Sequence, residues 1–482
     1  MSHAHHAFER MLGAAKHPLP RSYHPRRPAS TTFYRVIADH LDTMLQDARD
    51  RSPHGFGLPG HVERSFRRYL DGGLLERGFA RVLCRSCRYE VLVPFSCKSE
   101  DCVRRAMAGA WQMAATLVDR ILPLGVDYRQ WTLSFPRWLR VRLLRDPALV
   151  SAMLGMFVRI VFAYHRRRAR ERGIASGQTA AATQIQLGGA FANANLHFHT
   201  LIPEGVWFEQ ADGSLRFHHL PPPTDHDIAI LTARIIRRTA RLLARRDADR
   251  TDDDAPDVLA HAQAESVQLP LAIRDIVPSI QSPARRRCAL VDGFSLHANT
   301  SVDAADRAAL ERLVRYMLRP MISAHRLSQR SDGRVEYHFR HPDPTGRTSW
   351  VTDGPTWCRR LATLIPPRRS HLTRFHGVLS AAHAWRPHVV PAPSTDAPIH
   401  DTSATAMTLA HRLDWASLLR RVYGDDVTKC PRCGDRLAVL AFVTHPDVIA
   451  AILDHLGLAA AAPPIAPARA PPDHGGELEL GV

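Results

Sequence analysis

Asn195-Leu196-His197-Phe198-His199 alternates polar and apolar side chains, which is the pattern of a β-strand with two different faces. His197 and His199 are therefore expected on one face of the strand and Phe198 on the other. Two imidazoles roughly 7 Å apart along a strand can share one divalent cation. The rest of the strand is apolar, so packing alone explains two histidines on one face poorly. We interpret the pair as a candidate metal site.

A second predicted strand precedes the histidines, because 181–202 has the pattern of two strands joined around Gly188-Gly189. This strand carries Gln186, whose amide oxygen is a hard donor and a candidate third ligand. The same residue is equally well interpreted as an ordinary exposed glutamine. Imidazoles suit Mn²⁺, and Mg²⁺ would be accepted if an oxygen ligand completes the set. The sequence therefore predicts Mn²⁺ or Mg²⁺ at His197 and His199, with Gln186 as candidate third ligand.

A tyrosine among arginines lies about 120 residues further on, in Arg315-Tyr316-Met317-Leu318-Arg319-Pro320. The apolar spacing predicts a helix over 303–319 with Asp303 as its N-cap and Pro320 at its end. Arg312 and Arg319 fall beside Tyr316 at helical spacing and could hold a phosphate next to its hydroxyl. A helical tyrosine is most often a half-buried packing residue, but these arginines favour a nucleophile.

The charge balance points to nucleic acid as the partner. The chain has 482 residues with a formal net charge of +17, carried mainly by arginine. Five arginines recur at helical spacing in a predicted helix over 225–246: Arg234, Arg237, Arg238, Arg241 and Arg245. This basic face is interpreted either as a solvated surface or as a surface that follows DNA phosphates. No phosphate-binding Gly-x4-Gly-Lys-Ser/Thr loop occurs in the sequence, so ATP is not expected to drive the reaction.

Six of the eight cysteines fall into two clusters, which favours metal ligands over disulfides in a cytosolic protein. Cys84-x2-Cys87, with Cys97 and Cys102, predicts a closed, structural Zn²⁺ site. Cys430-Pro431-Arg432-Cys433 supplies half of a second site. Its missing ligands could be His445 and His455 or lie elsewhere, and a tight turn with two thiols is an equal alternative.

The organisation along the chain follows from composition and periodicity. No run of 18 apolar residues occurs and no signal-peptide pattern opens the chain, so a membrane span is not expected and the cytosol is the predicted compartment. The predicted segments are a mostly flexible arm (1–55), a zinc-binding domain (56–112), a catalytic domain (113–390, with a variable insertion at 247–288), a linker (391–410), a small CxxC module (411–458) and a disordered tail (459–482).

Taken together, the motifs resemble the rolling-circle transposases of the insertion-sequence-ninety-one family and its common-region (ISCR) relatives, in the HUH endonuclease superfamily. The resemblance covers roughly 55–458. It rests on Gly78-Phe79-Ala80-Arg81 with Cys84-x2-Cys87, Phe95-Ser96-Cys97-Lys98, Gln130-Trp131-Thr132-Leu133-Ser134-Phe135-Pro136, Asn195-Leu196-His197-Phe198-His199, Pro203-Glu204-Gly205-Val206, Arg315-Tyr316-Met317-Leu318-Arg319-Pro320, Phe375-His376-Gly377-Val378-Leu379 and Cys430-Pro431-Arg432-Cys433-Gly434.

The resemblance implies an α+β fold: an HUH core with an antiparallel sheet flanked by helices, an N-terminal zinc-binding module and a small C-terminal CxxC module. It implies that His197 and His199 hold the cation, that Gln186 is the third ligand and that Tyr316 is the nucleophile. The implied activity is nicking and joining of single-stranded DNA at the ends of a mobile element, through a 5′-phosphotyrosine.

Two departures from the family pattern and two alternative functions accompany this prediction. The segment after Cys97-Lys98 is shorter than the family's, with one cysteine fewer, and Pro320 stands where some relatives carry a second tyrosine. A single nucleophile is therefore expected. The alternatives are a plasmid replication initiator or relaxase, and a zinc-containing DNA-binding protein without catalysis. The oligomeric state does not follow from the sequence.

Overall fold

The computed structural model describes residues 27–52, 54–96, 111–189, 191–248, 258–268, 286–343, 345–367, 370–391 and 428–469. The helices are α1 (Thr32–Asp50), α2 (Gly60–Asp71), α3 (Trp111–Arg120), α4 (Arg137–Arg145), α5 (Pro147–Arg170), α6 (Asp225–Ala248), α7 (Val258–Gln268), α8 (Arg307–Met317), α9 (Gly354–Ala362), α10 (Arg386–Val389) and α11 (Pro446–His455), with 3-10 turns at Pro28–Ser30, Leu75–Arg77 and Ala324–Arg326.

The strands are β1 (Phe79–Cys84), β2 (Glu90–Pro94), β3 (Tyr128–Ser134), β4 (Ala180–Gly188), β5 (Ala194–Pro203), β6 (Gly205–Glu209), β7 (Leu215–His219), β8 (Cys288–Val291), β9 (Phe294–Val302), β10 (Leu327–Gln329), β11 (Val335–His338), β12 (Ser349–Thr352), β13 (Thr373–Gly377) and β14 (Leu437–Val443).

The chain forms two compact units. Of the described residues, the smaller unit holds 27–28, 72–96 and 428–462, and the larger unit holds the others. This grouping differs from the sequence prediction, which placed 56–112 and 411–458 in separate modules. In the structure, β1 and β14 pair as antiparallel neighbours, so the smaller unit takes strands from both segments.

The larger unit is built on a six-stranded sheet in the order β13-β4-β5-β3-β9-β8, within the described residues. Every neighbouring pair in it is antiparallel, as the sequence predicted. The histidine strand β5 lies in the interior of the sheet, between β4 and β3. A rigid interior strand is a suitable base for a metal site because its backbone is fixed by hydrogen bonds on both edges.

Strand alternation divides this sheet into an apolar and a more polar face. Trp131, Leu133, Ile185 and Phe198 belong to the main hydrophobic core, and each is at most 2% exposed. Their neighbours in sequence, including both histidines, point to the other face. One end of that face is covered by α8, whose Leu310, Leu313, Val314 and Met317 pack with residues of β3, β4, β5 and β9. The rest of the polar face carries the candidate site.

Helix α5 is long and apolar enough to cross a membrane, by length and composition alone. No membrane span was expected from the sequence, which has no run of 18 apolar residues. Its apolar side chains, among them Met153, Leu154, Phe157 and Val161, are buried in the same core as the apolar face of the sheet. This burial is that of the core helix of a globular unit.

The smaller unit contains a three-stranded antiparallel sheet in the order β14-β1-β2. Its register places Phe79 opposite both Val443 and Pro94, and Cys84 opposite Leu437. The unit has a small core of its own: Phe79, Leu92, Val443, Ile449 and Leu453. Two of these residues lie on α11, which therefore packs against the sheet.

Most of the long predicted elements are confirmed, and one boundary is wrong. The predicted helix at 225–246 corresponds to α6, and the two strands predicted within 181–202 correspond to β4 and β5. The tyrosine helix α8 begins at Arg307 and not at 303. Its N-cap is Asp306, which accepts a hydrogen bond from Ala309 N at 2.7 Å. Asp303 instead accepts from Ala305 N, which closes a turn before the helix.

Candidate metal and tyrosine site

The two histidines meet on the polar face of the sheet. His197 Nε2 and His199 Nε2 are 3.1 Å apart, and both residues are buried, with 8% and 4% of their surface exposed. Adjacent ligands of one octahedral cation with bonds of about 2.1 Å lie about 3 Å apart. The two ring nitrogens are therefore spaced as two ligands of a single ion.

Both imidazoles are neutral at physiological pH, which is the state that binds a metal. Burial lowers the pKa of His197 to about 4, and the nearby guanidinium groups of Arg319 and Arg140 contribute to that shift. Burial also holds the pKa of His199 well below its usual value, with smaller contributions from His197 and Arg319. Neither imidazole therefore has a positive charge to lose when it accepts a cation.

Hydrogen bonds to the second ring nitrogen orient each histidine. His197 Nδ1 lies 2.7 Å from Asn195 O, and a carbonyl only accepts, so Nδ1 carries the proton and Nε2 keeps its lone pair. His199 Nδ1 lies 2.6 Å from Gln130 Nε2 and 3.2 Å from Thr132 Oγ1. The Gln130 amide presents a donor, so the His199 proton is on Nε2 in this arrangement.

Cation binding at His199 therefore needs that proton on Nδ1, with the Gln130 amide turned so that its oxygen accepts it. Gln130 and Thr132 were not predicted as site residues from the sequence. Both alternate along β3 in the same way as the histidines along β5, and Thr132 is directly opposite His199. The alternation along β3 could have identified these two residues as neighbours of the histidines, but only if the register of β3 with β5 had been known.

Gln186 is directly opposite His197 in the β4-β5 pair, so the two side chains share a face. Its Nε2 donates to Met317 O at 2.6 Å, and Arg319 O lies 3.4 Å from the same nitrogen. Because these carbonyls only accept, the amide nitrogen must face α8 and the amide oxygen must face away from it. That oxygen is the hard donor which the third-ligand prediction requires.

The tyrosine lies beside the histidines, at the C-terminal end of α8. The ring of Tyr316 is half-buried, with its centroid 6.0 Å from that of His199. The guanidinium carbon of the exposed Arg319 lies 4.5 Å from the same ring centroid, in cation–π geometry. Arg312 is also exposed but forms an ion pair with Asp306 at 3.7 Å, towards the start of the helix. Arg319, rather than Arg312, is therefore the arginine whose guanidinium packs on the ring of Tyr316.

The donor set of this site fits a divalent cation. Once the His199 proton is on Nδ1, the site offers two imidazole nitrogens and one amide oxygen, and further coordination positions stay open to oxygen ligands from a phosphate or water. Imidazole with oxygen ligands suits Mn²⁺ and is compatible with Mg²⁺. No carboxylate or thiol is part of this set, so structural zinc, which favours a closed shell of thiolates and imidazoles, fits it less well.

Four thiols converge in the smaller unit. Cys84 Sγ lies 3.4 Å from Cys433 Sγ, and Cys87 Sγ lies 3.5 Å from Cys430 Sγ. One sulfur from each of the four cysteines lies within 4.8 Å of the others. In a tetrahedral zinc site with Zn–S bonds of about 2.3 Å, neighbouring sulfurs are about 3.8 Å apart. The cluster therefore fits one closed, structural Zn²⁺ site.

Each pair of thiols is presented by its own tight turn. Arg88 N donates to Cys84 O at 2.9 Å, and Gly434 N donates to Cys430 O at 2.9 Å. Gly434 has a φ of +77°, a conformation that glycine adopts at little cost. A hydrogen bond from Ser86 Oγ to Asp435 joins the two turns. The two turns thus bring the four sulfurs to one place in the smaller unit.

This arrangement regroups the predicted zinc ligands. The spacing in the sequence predicted one site of Cys84, Cys87, Cys97 and Cys102, with Cys430 and Cys433 as half of a second site. In the structure, the two CxxC pairs complete each other. Cys97 and Cys102 lie outside the described residues, so their predicted role as ligands stays a prediction. The four thiols already present are a full set for tetrahedral zinc.

The predicted basic face lies on α6. Ile228, Leu231 and Ile235 of this helix are buried in the main core. The arginines point the other way: Arg234 is half-buried and the remaining four, Arg237, Arg238, Arg241 and Arg245, are exposed. Arg246, beside them, is neutralised by Asp146 at 2.6 Å. Within the part of the chain that the structure describes, no ion pair involves the other five.

Comparisons with known protein families match two parts of the chain. Residues 183–386 match the family described as "Putative transposase". Residues 38–135 match the family described as "Transposase zinc-binding domain", of the IS91 type. The first match contains the histidine pair, Gln186 and Tyr316, and the second contains Cys84 and Cys87. No curated protein and no solved structure matches the chain.

Proposed function

Because the chain belongs to the IS91 (insertion-sequence-ninety-one) family of rolling-circle transposases, we propose that it nicks and rejoins single-stranded DNA at the ends of a mobile element. The nucleophile in this proposal is Tyr316, and the product is a 5′-phosphotyrosine. The observation that carries it is the convergence of Tyr316, Arg319 and the histidine pair on one face of the sheet.

In the proposed reaction, Tyr316 Oη attacks the scissile phosphorus. A bond forms between Tyr316 Oη and phosphorus, the bond between phosphorus and O3′ breaks, and the departing O3′ takes up a proton as a free 3′-OH. The phenolic proton leaves with the attack. One phosphodiester replaces another, so a second 3′-OH can reverse the step and rejoin DNA without a nucleotide cofactor.

The chain's own residues supply positioning and charge. Arg319 provides a guanidinium next to Tyr316, where it can donate hydrogen bonds to phosphate oxygens. His197, His199 and the Gln186 oxygen are the groups that would hold Mn²⁺ or Mg²⁺. A cation bound there supplies charge neutralisation to the phosphate. Asn195 O and Gln130 set which imidazole nitrogens face the ion.

The exposed arginines of α6 support DNA binding in this proposal. A helix that buries its apolar side and exposes several cations in line, without carboxylate partners among the described residues, suits the phosphate backbone of a strand. Such contacts hold DNA regardless of its sequence. In this proposal the nicking reaction takes place at Tyr316 and the histidine pair, on the sheet of the larger unit.

The test is a covalent-adduct assay. Purified protein and Mn²⁺ are mixed with single-stranded oligonucleotides from the flanks of the gene, labelled at the 3′ end, and resolved on a denaturing gel. We expect a labelled protein–DNA band with the wild type, and its loss in Tyr316→Phe, His197→Ala and EDTA. Tyr89→Phe, a half-buried tyrosine in the smaller unit, is the matched control and should keep the band.

Two results would contradict the proposal. A band that persists in Tyr316→Phe would place the nucleophile elsewhere. Tight DNA binding with no band from any flank would favour the alternative of a zinc-containing DNA-binding protein without catalysis.

A further inference from the structure

Arg140 is a half-buried cation close to the histidine pair that the proposed reaction has not used. It lies on α4, which begins three residues after β3 ends at Ser134. Its Nε donates to Phe135 O at 2.6 Å, which fixes the side chain against the end of β3. That bond occupies one of the five N–H groups of the guanidinium.

The charge on Arg140 is not balanced by a carboxylate among the described residues. Burial and the neighbouring cation Arg137 lower the pKa of Arg140 to about 10, so it stays charged at neutral pH. A partly desolvated cation without a counter-charge is costly unless an anion arrives to neutralise it. The uncompensated charge on Arg140 therefore indicates that an anionic ligand binds beside it.

Its position relative to the metal site is defined by the sheet. Ser134 is directly opposite His197, and Arg140 is fixed to the residue that follows Ser134. Arg140 therefore lies on the β3 side of His197. Gln186, with Met317 and Arg319 bonded to its amide, lies on the other side, on β4. Arg140 thus lies towards β3, whereas the backbone of Arg319 is bonded to Gln186 on the β4 side, and both guanidinium groups influence His197 electrostatically.

In-line displacement places the attacking and leaving oxygens on opposite sides of phosphorus. Tyr316 and Arg319 occupy the attacking side. We propose that Arg140 binds a phosphate of the DNA segment 5′ to the scissile bond, the segment that leaves with the free 3′-OH. This inference rests on the proposed function and adds a subsite to it. Retaining that segment keeps the 3′-OH available for rejoining.

The experiment uses the full chain and the oligonucleotide that the wild type nicks. Once the nick is mapped, the two halves of that oligonucleotide are made separately with a fluorescent label. Their dissociation constants are measured by anisotropy in EDTA at several salt concentrations, so that no reaction takes place. The variants are Arg140→Gln and Arg140→Lys. The matched control, Arg142→Gln, loses the same charge from the same helix, where it is paired with Asp247.

We expect Arg140→Gln to weaken binding of the upstream half about tenfold, the effect of one lost charge-assisted hydrogen bond. For that half, the slope of the logarithm of the binding constant against the logarithm of the salt concentration should decrease in magnitude by about 0.7, because one phosphate contact is lost. Arg140→Lys should keep the slope because it keeps the charge. The downstream half should bind unchanged, and Arg142→Gln should change neither half. A purely structural role for Arg140 would affect both halves and leave the slope as it is.

The outcomes separate this inference from the proposed function. In one outcome, the wild type nicks DNA while Arg140→Gln and Arg142→Gln bind the upstream half with the same dissociation constant. That result would refute the phosphate subsite at Arg140 and leave the proposed nicking reaction intact. Equal weakening of both halves, with a lower melting temperature, also overturns it. If the wild type gives no nick that depends on Tyr316, the proposed function fails and the subsite fails with it.

Discussion

Replacing Cys430 by serine should remove zinc from a site whose other CxxC pair lies 343 residues earlier (430 − 87). The reason is geometric, because Cys87 Sγ has Cys430 Sγ as its neighbour at 3.5 Å and Cys84 Sγ has Cys433 Sγ at 3.4 Å. A tetrahedral site that loses one of four thiolates is left with an open position. The N-terminal pair should therefore not retain zinc by itself.

The loss should unfold the smaller unit. Its core has five buried apolar side chains, each contributing about 1.5–3 kcal/mol, or roughly 8–15 kcal/mol in total before any entropy is subtracted. A structural zinc site contributes about 10–16 kcal/mol of binding free energy, whereas the net stability of a whole domain is about 5–15 kcal/mol. Removing the metal should therefore cost a free energy comparable with the whole net stability of such a unit.

The assay combines metal content with hydrogen exchange. Zinc per chain is measured by mass spectrometry after gel filtration, for the wild type, Cys87→Ser, Cys430→Ser and the control Cys288→Ser. Cys288 is a half-buried thiol on β8 of the larger unit. Cys87→Ser and Cys430→Ser should each lose one zinc equivalent. Peptides from β1, β2 and β14 should lose exchange protection together, since β1 pairs with both of the others.

Cys97→Ser and Cys102→Ser decide between the two ligand sets. The four-thiol cluster predicts that both variants keep this zinc. If Cys430→Ser retains the metal and Cys97→Ser loses it, the reasoning from sulfur distances is refuted and the ligand set expected from sequence spacing takes its place.

Three further predictions concern DNA binding, backbone strain and acid stability. Changing Arg237, Arg241 and Arg245 of α6 together to glutamine should lower the log–log salt slope for single-stranded DNA binding by about 2, at about 0.7 per lost phosphate contact. Gly377→Ala should cost about 2–4 kcal/mol in urea unfolding, because φ is +62° and a Cβ would overlap Thr179 O. Gly346→Ala, with φ +88° but open space around it, should cost only about 1 kcal/mol. Burial lowers the pKa of His165 to about 4, so the unfolded chain binds the extra proton first. The linkage of His165 alone should therefore lower the free energy of unfolding by up to about 3 kcal/mol between pH 6.5 and 4, and His165→Gln should remove that part of the decrease.

The sequence predicts the parts of this protein that depend on local pattern. The period of two along β5 places His197 and His199 on one face, and the period of about 3.6 along 225–246 separates buried isoleucines from exposed arginines in α6. Both patterns are complete within one element. The existence of these elements could therefore be predicted without knowing their neighbours.

The sequence fails where the information lies in long-range pairing. Nothing in the spacing of Cys430 and Cys433 says that β14 pairs with β1, so their partners could not be chosen from the sequence. Gln130 and Arg140 were missed for the same reason: their relation to the histidines depends on the register of β3 with β5 and on where α4 begins. The N-cap at Asp306 was missed because Asp303 fits the same capping pattern.

Gln186 connects the two halves of the proposed chemistry, because one side chain serves both the cation site and the tyrosine helix. Its nitrogen bonds Met317 O, next to Tyr316, and its oxygen is the candidate ligand opposite His197. Gln186→Glu keeps an oxygen ligand and adds a negative charge, but an ionised carboxylate has no proton to donate to Met317 O. We expect Mn²⁺ to bind at least as tightly as to the wild type.

Adduct formation by Gln186→Glu should nevertheless fall about tenfold, because a lost hydrogen bond of roughly 1.4 kcal/mol frees the end of α8. Gln186→Ala should lose both cation affinity and adduct formation. Cation affinity, measured calorimetrically, and adduct yield at saturating Mn²⁺ are compared across both variants. If adduct yield at saturation is that of the wild type in Gln186→Glu, the helix anchor contributes nothing to the reaction and Gln186 acts through the cation alone.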